Sequence, residues 1–365
     1  MNSSSPLKIA VIGHIRNTIA EPFMGGMEAH CAALCEGLVK LGHEPTLFAA
    51  PGADVACRHV AICDQPYEMV LPWAKYRGTG ALDSYQAKAF DLAWGHILSG
   101  DFDVVHNNSL HPQLVRKARD GGVPMLTSQH VPPFGAMHEA VRNAAGCAHA
   151  RFTVTSKAQI PLWFDEAPSN LAVVHNGIDE DVWRPVARQG GLIWTGRITP
   201  NKGTALAVQA ARRAGVALDI AGTVEDEMYF AEAIAPFLGE NIRYLGHLKG
   251  ESLRTLIAAA GTVCVTPMWE EPFGLVVAEA LCCDVPVIAF DRGAMAEVMG
   301  DCGMLVPAGD VDALAAAMAN PPVLPAGKAR ERALAMFTNS RMIEGYVREY
   351  RLAMAGAREC LGQAA

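Results

Sequence analysis

The stretch WEEPFGLVVAEAL, residues 269–281, sets two glutamates, Glu271 and Glu279, eight positions apart around a proline, a glycine and a run of Leu, Val and Ala. Pro272 has a fixed backbone angle and no N–H, which suits the first turn of a helix. Gly274 lets a ligand come close to the backbone. A helix starting there would leave the N–H groups of Gly274, Leu275 and Val276 unpaired at the positive end of its dipole, an anion site suited to phosphate. Glu271 would sit just outside that helix. Glu279 would lie about two turns further on, placed for a different part of the same ligand.

Carboxylates repel phosphate, so cations are required close by. The segment WTGRITPNKG, residues 194–203, supplies Arg197 and Lys202 after a strand-like run and around a glycine-containing turn. Arg offers a planar fork for phosphate oxygens and Lys a point charge. Each charge-assisted bond of this kind is worth about 1.5–3 kcal/mol. The combination implies a ligand with a diphosphate in its middle and hydroxyl-rich groups at each end, as a nucleotide sugar has.

Other residues weigh less. Solvated helix faces are the usual place for glutamates, but the concurrence of Glu271 and Glu279 with Gly274, Arg197 and Lys202 favours a ligand, while Glu270 lacks the spacing and reads as a surface residue. His106 reads equally as a structural or a ligand-lining residue, and with His111 it has no third ligand for a metal. The acids of Asp101-Phe102-Asp103 sit at a strand entry and read as a solvated turn. Trp73, Tyr76, Tyr85, Phe90 and Trp94 read first as core. The cations among them, Lys75, Arg77 and Lys88, are diluted by acids and make a poor membrane face. The ten cysteines form no CxxC. Cys31 and Cys35 share a buried helix face with Met27, Leu34, Leu38 and Leu41, and Cys264, Cys282 and Cys283 fall in apolar runs, as small hydrophobes do.

These residues need a scaffold, and the chain announces one. Short apolar runs alternate with helical patterns: KIAVIG (8–13), PTLFA (45–49), DVVH (103–106), PMLTSQ (124–129), FTVTS (152–156) and AVVHN (172–176). A second series follows: GLIWTG (191–196), ALDIAG (217–222), IRYLG (242–246), TVCVTP (262–267), VPVIAF (285–290) and GMLVP (303–307). Near-continuous apolar strands separated by helices indicate parallel sheets covered on both faces. The acidic, Gly- and Pro-containing stretch at 176–191 reads as a linker. The expectation is an α/β chain of two Rossmann-like, doubly wound parallel-sheet domains, residues 1–180 and 181–340, facing a central cleft. Ligands of such sheets sit beyond the C-terminal strand ends. A tail helix follows, with Met342, Ile343, Tyr346, Val347 and Tyr350 on one face.

The totals agree. A chain of 365 residues is long for one core, and 51% apolar against 19% charged residues is ample for buried sheets. The formal charge is 30 − 38 = −8 with no basic run, which argues against nucleic acid. The longest apolar run, Gly274 to Phe290, is interrupted by Glu279, Asp284 and Pro286 and cannot span a membrane. The start MNSSSPLKIAVIG lacks a signal-peptide pattern. A cytoplasmic location is expected, with peripheral membrane contact left open.

In order along the chain stand GGMEAH, LVKLGHEPTLFAA, DVVH, TSQH, VVHNGID with VWRP, GRITPNKG, YLGHL, VTPMWEEPFGLVVAEAL and CDVPVIAFDRGAMAEV. This set, with its Glu-x7-Glu spacing, resembles the retaining glycosyltransferases of family 4, with the two-Rossmann GT-B architecture, over about residues 8–310. The resemblance implies that Arg197 and Lys202 bind the donor diphosphate with the backbone N–H groups of Gly274, Leu275 and Val276. It implies that Glu271 binds donor-sugar hydroxyls and Glu279 the ribose. Gly25 and Gly26 match the glycine loop at the donor and acceptor, and His130 matches a histidine that touches the donor sugar near the reacting carbon. The last helix, residues 341–365, is expected to cross back to the N-terminal domain. Proline after Glu271 stands where glycine is common. The implied reaction is metal-independent transfer, with retention, from a UDP- or GDP-sugar to a hydroxyl of a small-molecule or glycan acceptor. No cofactor is implied, the nucleotide diphosphate sugar being a co-substrate. The region 71–94 matches no acceptor class. Rival readings are a GT-B epimerase or phosphorylase and a catalytically silent nucleotide-sugar-binding protein. A dehydrogenase fails for want of a GxGxxG after a strand.

Overall fold

The computed structural model describes residues 5–248 and 250–363. Two parallel sheets organise the chain. The first contains β1 (Lys8–Ile12), β2 (Glu44–Ala49), β3 (Arg58–Ala61), β4 (Val104–Asn107), β5 (Met125–Gln129), β6 (Ala150–Val154) and β7 (Leu171–Val173), in the order β3-β2-β1-β4-β5-β6-β7. The second contains β8 (Leu192–Thr195), β9 (Leu218–Ala221), β10 (Ile242–Tyr244), β11 (Thr262–Val265), β12 (Val287–Asp291) and β13 (Gly303–Pro307), in the order β10-β9-β8-β11-β12-β13. Both are doubly wound Rossmann-like sheets, the pairing of domains found in GT-B proteins. Strand order reverses at β1/β4 in one and at β8/β11 in the other, which opens a crevice beyond the strand ends there.

The pattern of apolar runs explains the layers. In β12, Val287 and Ala289 enter one core, while Ile288 and Phe290 enter the other. Both faces of a parallel strand are covered by helices, so both must be apolar. β3 is the element the apolar runs do not announce. Its four residues, RHVA, are half-buried or exposed at a sheet edge, so burial never demanded a hydrophobic run.

Chain contacts divide the molecule into two units. One groups the chain up to Thr155 with Ile160–Gly177 and the segment from Asn339 onward, and the other groups Ser156–Gln159 with Ile178–Thr338. The short segment Ser156–Gln159, which the sequence boundary at 180 assigns to the first domain, is held by Glu297, whose Oε2 accepts from the N–H groups of Lys157 (2.7 Å) and Ala158 (3.3 Å). The Asn339–Gln363 helix buries Met342, Ile343, Tyr346, Val347 and Tyr350 in a core with Ile9, Val11, Leu34 and Leu38. Arg151 and Glu349 add an ion pair at 2.7 Å, with Glu349 almost fully buried.

Among the described residues no helix is long and apolar enough to cross a membrane, and no group of three or more His, Cys, Asp or Glu is arranged to hold a metal ion. Asp101 pairs with Lys8 and Asp103 accepts from the Lys8 N–H at the N-terminal end of β1, a solvated strand entry. A hollow of about 520 Å³ lies beside them, lined by Lys8, Glu44, Arg58, His96 and Asp101. It opens at the end of the sheet where such folds do not bind ligands.

Candidate active site

In the second unit, the loops after β8 and β11 meet at the point where the strand order reverses. Arg197 and Lys202 follow β8, and Lys202 closes a short 3-10 turn, Pro200–Lys202. Gly203 then adopts φ +68°, and a Cβ there would collide with the carbonyl oxygen of Thr266. This close approach welds the Lys202 turn to the β11 exit. Thr266 completes the joint: its hydroxyl accepts from Trp194 Nε1 (2.9 Å) and points at the carbonyls of Lys202 (2.9 Å) and Gly203 (3.1 Å). The Met268 N–H adds a bond to Asn201 O (2.8 Å).

This joint delivers Lys202 to Glu271. Nζ lies 2.5 Å from Glu271 Oε2, and the same oxygen accepts from Trp269 Nε1 at 2.7 Å. The Lys202 ammonium also stands 5.2 Å from the centroid of the Trp269 ring. Glu271 is only 8% exposed, so its charge depends on these donors. Its backbone is fixed as well, with its carbonyl accepting from the Ala294 N–H (2.8 Å) and Gly293 packed on the Glu270–Glu271 peptide.

The helix begins later than the proline suggests. It runs Leu275–Cys282, and Gly274 is its N-cap at φ +84°, with no side chain capping it. Pro272 is outside, because a left-handed residue at 274 cannot continue a helix back to it. The N–H groups of Leu275 and Val276 therefore form the first open positions of the helix end. Glu279 lies about one turn inside this helix, not two. It is half-buried, and burial pushes its carboxyl up to about 7.

Arg197 has an acidic partner that its motif does not disclose. It bonds Glu225 Oε2 at 2.6 Å, while Glu271 is served by Lys202 and Trp269. Glu270, read as a surface residue, pairs with Arg292 at 2.9 Å, both partly exposed.

In the first unit, Gly25 is the N-cap of the Gly26–Lys40 helix with an extended backbone, φ −163°, that any residue can adopt. The buried Glu28 follows in the first turn and accepts from Asn17 Nδ2 at 3.1 Å. His130 follows β5 and bonds Asn108 Oδ1 through Nε2 (3.2 Å). Its ring lies 4.2 Å, centroid to centroid, from that of His30, which reaches Tyr346 at 3.4 Å. His106 is wholly buried, with Nδ1 2.5 Å from the Tyr350 hydroxyl and Nε2 2.8 Å from Ser128 Oγ. Both of its ring nitrogens are thus engaged within the first unit. Burial pushes His130 down to about 4 and His106 to about 3, and it holds His30 well below its ordinary range, with His130 and His106 adding to the effect. All three are neutral near pH 7.

Trp269, Thr266, Glu225 and Asn108 escaped assignment from the sequence. Trp269 sits two residues before Glu271, and His30 closes the GGMEAH segment; nearness to a motif was the only available signal for either.

A family model described as Glycosyltransferase Family 4 matches residues 24–182, and one described as Glycosyl transferases group 1 matches 189–320. The chain is similar to a phosphatidyl-myo-inositol mannosyltransferase of Mycolicibacterium smegmatis, 27% identical over 321 residues that cover 80% of each protein. It is also similar to a D-inositol 3-phosphate glycosyltransferase of Mycobacterium avium, 27% identical over 376 residues, 87% of this chain and 85% of that one. Among solved structures, a glycosyltransferase involved in avilamycin A biosynthesis superposes with a TM-score of 0.70 at 25% identity, covering 96% of this chain and 99% of that one.

Proposed function

The chain belongs to glycosyltransferase family 4, and from that premise we propose that it transfers a sugar, with retention and without a metal, from a UDP- or GDP-sugar to a hydroxyl acceptor. The observation that carries this reading is the joint of Lys202, Glu271 and the uncapped Leu275–Cys282 helix end at the strand-order reversal of the second sheet.

In this proposal the helix end and Lys202 receive the diphosphate, and Arg197 turns to it from Glu225. Their charge is strongest in effect where the leaving oxygens become negative, so it lowers the barrier rather than only binding the ground state. Glu271 accepts from hydroxyls of the transferred sugar and Glu279 from the ribose. His130, neutral, contacts the donor sugar near the reacting carbon, and Gly25 and Gly26 serve the donor and acceptor. The bond from the anomeric carbon to the phosphate oxygen breaks, the acceptor oxygen bonds that carbon, and the acceptor proton passes to the departing phosphate.

The names of the two mycobacterial relatives carry inositol, which makes cyclitol hydroxyls the first acceptors to try. A thermal-shift screen with UDP-glucose, GDP-mannose and other sugar nucleotides identifies the donor, since a ligand of the folded state raises the melting temperature. NMR of the product then reads the anomeric configuration, and assays with and without EDTA test metal independence. An inverted product, activity abolished by EDTA, or a changed donor sugar without an acceptor each overturns the corresponding part.

A further inference from the structure

Glu271 Oε2 receives two donors, the Lys202 ammonium at 2.5 Å and the Trp269 indole N–H at 2.7 Å. A carboxylate oxygen has two lone pairs, so Oε2 is saturated. Among the described residues none donates to Oε1. The carboxylate therefore presents one oxygen to a ligand and has the other tied down.

The two ties differ in kind. Lys202 carries a charge on a flexible stem and, on the reading proposed above, is drawn to the donor diphosphate when it binds. The indole is neutral, cannot accept, and is part of a rigid ring that is itself half-buried. It holds the carboxylate without cancelling its charge.

We propose that Trp269 is a positioning residue for Glu271: its indole N–H keeps Oε2 in place after Lys202 has turned to the diphosphate, so that Oε1 meets the sugar in one orientation. The proposal rests on the donor-site reading of Lys202 and Glu271. It assigns to Trp269 an effect on turnover of the sugar, not on grip of the nucleotide.

Trp269→Phe keeps an aromatic ring at this position and removes the N–H together with the rest of the pyrrole ring. Its expected signature is a fall of about tenfold or more in kcat for whichever of UDP-glucose or GDP-mannose is turned over, with inhibition by free UDP or GDP unchanged within about twofold. Combined with Glu271→Ala it costs nothing further, because the two residues act as one unit. A readout independent of turnover comes from 15N-indole spectra, in which the Trp269→Phe variant identifies the Trp269 signal among six tryptophans. That N–H stays protected from exchange when UDP or GDP is added and loses protection in Glu271→Ala. Wild-type kcat in Trp269→Phe, additive losses in the double variant, or loss of protection on adding UDP or GDP each overturns the proposal. If Glu271→Ala itself turns over normally, the underlying donor-site reading falls and takes the catalytic claim with it, while unchanged indole protection in that variant refutes the contact separately.

Discussion

Glu279 offers a sharp link between pH, stability and donor binding. Burial pushes its carboxyl from an ordinary 4.5 to about 7 in the ligand-free protein. An ionised carboxylate accepts from both hydroxyls of a ribose, whereas the protonated group brings an O–H of its own to a place that wants acceptors. With a pKa of about 7, roughly 90% of the protein is ionised at pH 8 and about 9% at pH 6. If only the ionised form binds, donor affinity weakens about tenfold between those values. Each phosphate of a sugar nucleotide carries one ester and one anhydride bond, so its single acidic group stays ionised throughout this window. His130 and His106, at about 4 and about 3, do not titrate there either.

The same residue should destabilise the empty protein. Its folded pKa is raised, so its favourable contribution is complete below pH 4.5 and is lost as pH rises through about 7. The difference of about 2.5 pH units, at about 1.4 kcal/mol each, sets a ceiling near 3.5 kcal/mol above pH 7. Partial exposure lowers this to about 1–3 kcal/mol. Glu279→Gln is therefore expected to melt several degrees higher than the parent at pH 8, to bind donor at least about tenfold more weakly there, and to show no slope between pH 6 and 8. Calorimetry in two buffers of different ionisation enthalpy gives the proton count, about half a proton released per donor at pH 7 in the parent and none in the variant. A flat KM from pH 6 to 8 in the parent, or an unchanged slope in Glu279→Gln, refutes the reasoning.

Lys202→Met should lower kcat/KM by about 10- to 150-fold, the worth of one lost charge-assisted bond, while circular dichroism shows the fold intact. Glu225→Gln should change donor KM by less than about fivefold, since the Arg197–Glu225 pair is about one-third exposed on both sides and such pairs are worth little; a larger change in steady-state kinetics contradicts this. Gly203→Ala meets both a left-handed backbone and the Thr266 carbonyl, so a stability loss of about 1–3 kcal/mol by urea unfolding and weaker donor binding are expected together. Acid should loosen the first unit. His130 and His106 have folded values of about 4 and 3 against an ordinary 6.5, so the stability present above pH 6.5 is lost as pH falls, by up to about 2 kcal/mol each at pH 5. His106→Asn should flatten that slope in urea midpoints measured from pH 7 to 5.

The strand rhythm, the two-sheet organisation and the pair Lys202 and Glu271 were legible in the amino-acid order. Parallel strands buried on both faces must be apolar, and a helix end that takes an anion must carry small residues and nearby cations; both demands are local and leave marks in a row of residues. β3 left no mark because an edge strand need not be apolar. The helix start at Leu275 rather than Pro272 depends on the left-handed backbone of Gly274, which composition does not reveal. Which donor reaches which acid is a matter of sheet order. β8 and β11 are neighbours in space, so Lys202 and Glu271 meet across 69 residues of chain. Arg197, on the same loop, reaches Glu225 instead, beyond the neighbouring strand β9. His106 likewise takes its partner from residue 350, on a helix that returns to the first sheet after the whole second unit. Local residue types determined what chemistry was on offer; the folding of distant loops onto adjacent strand ends decided which groups hold one another.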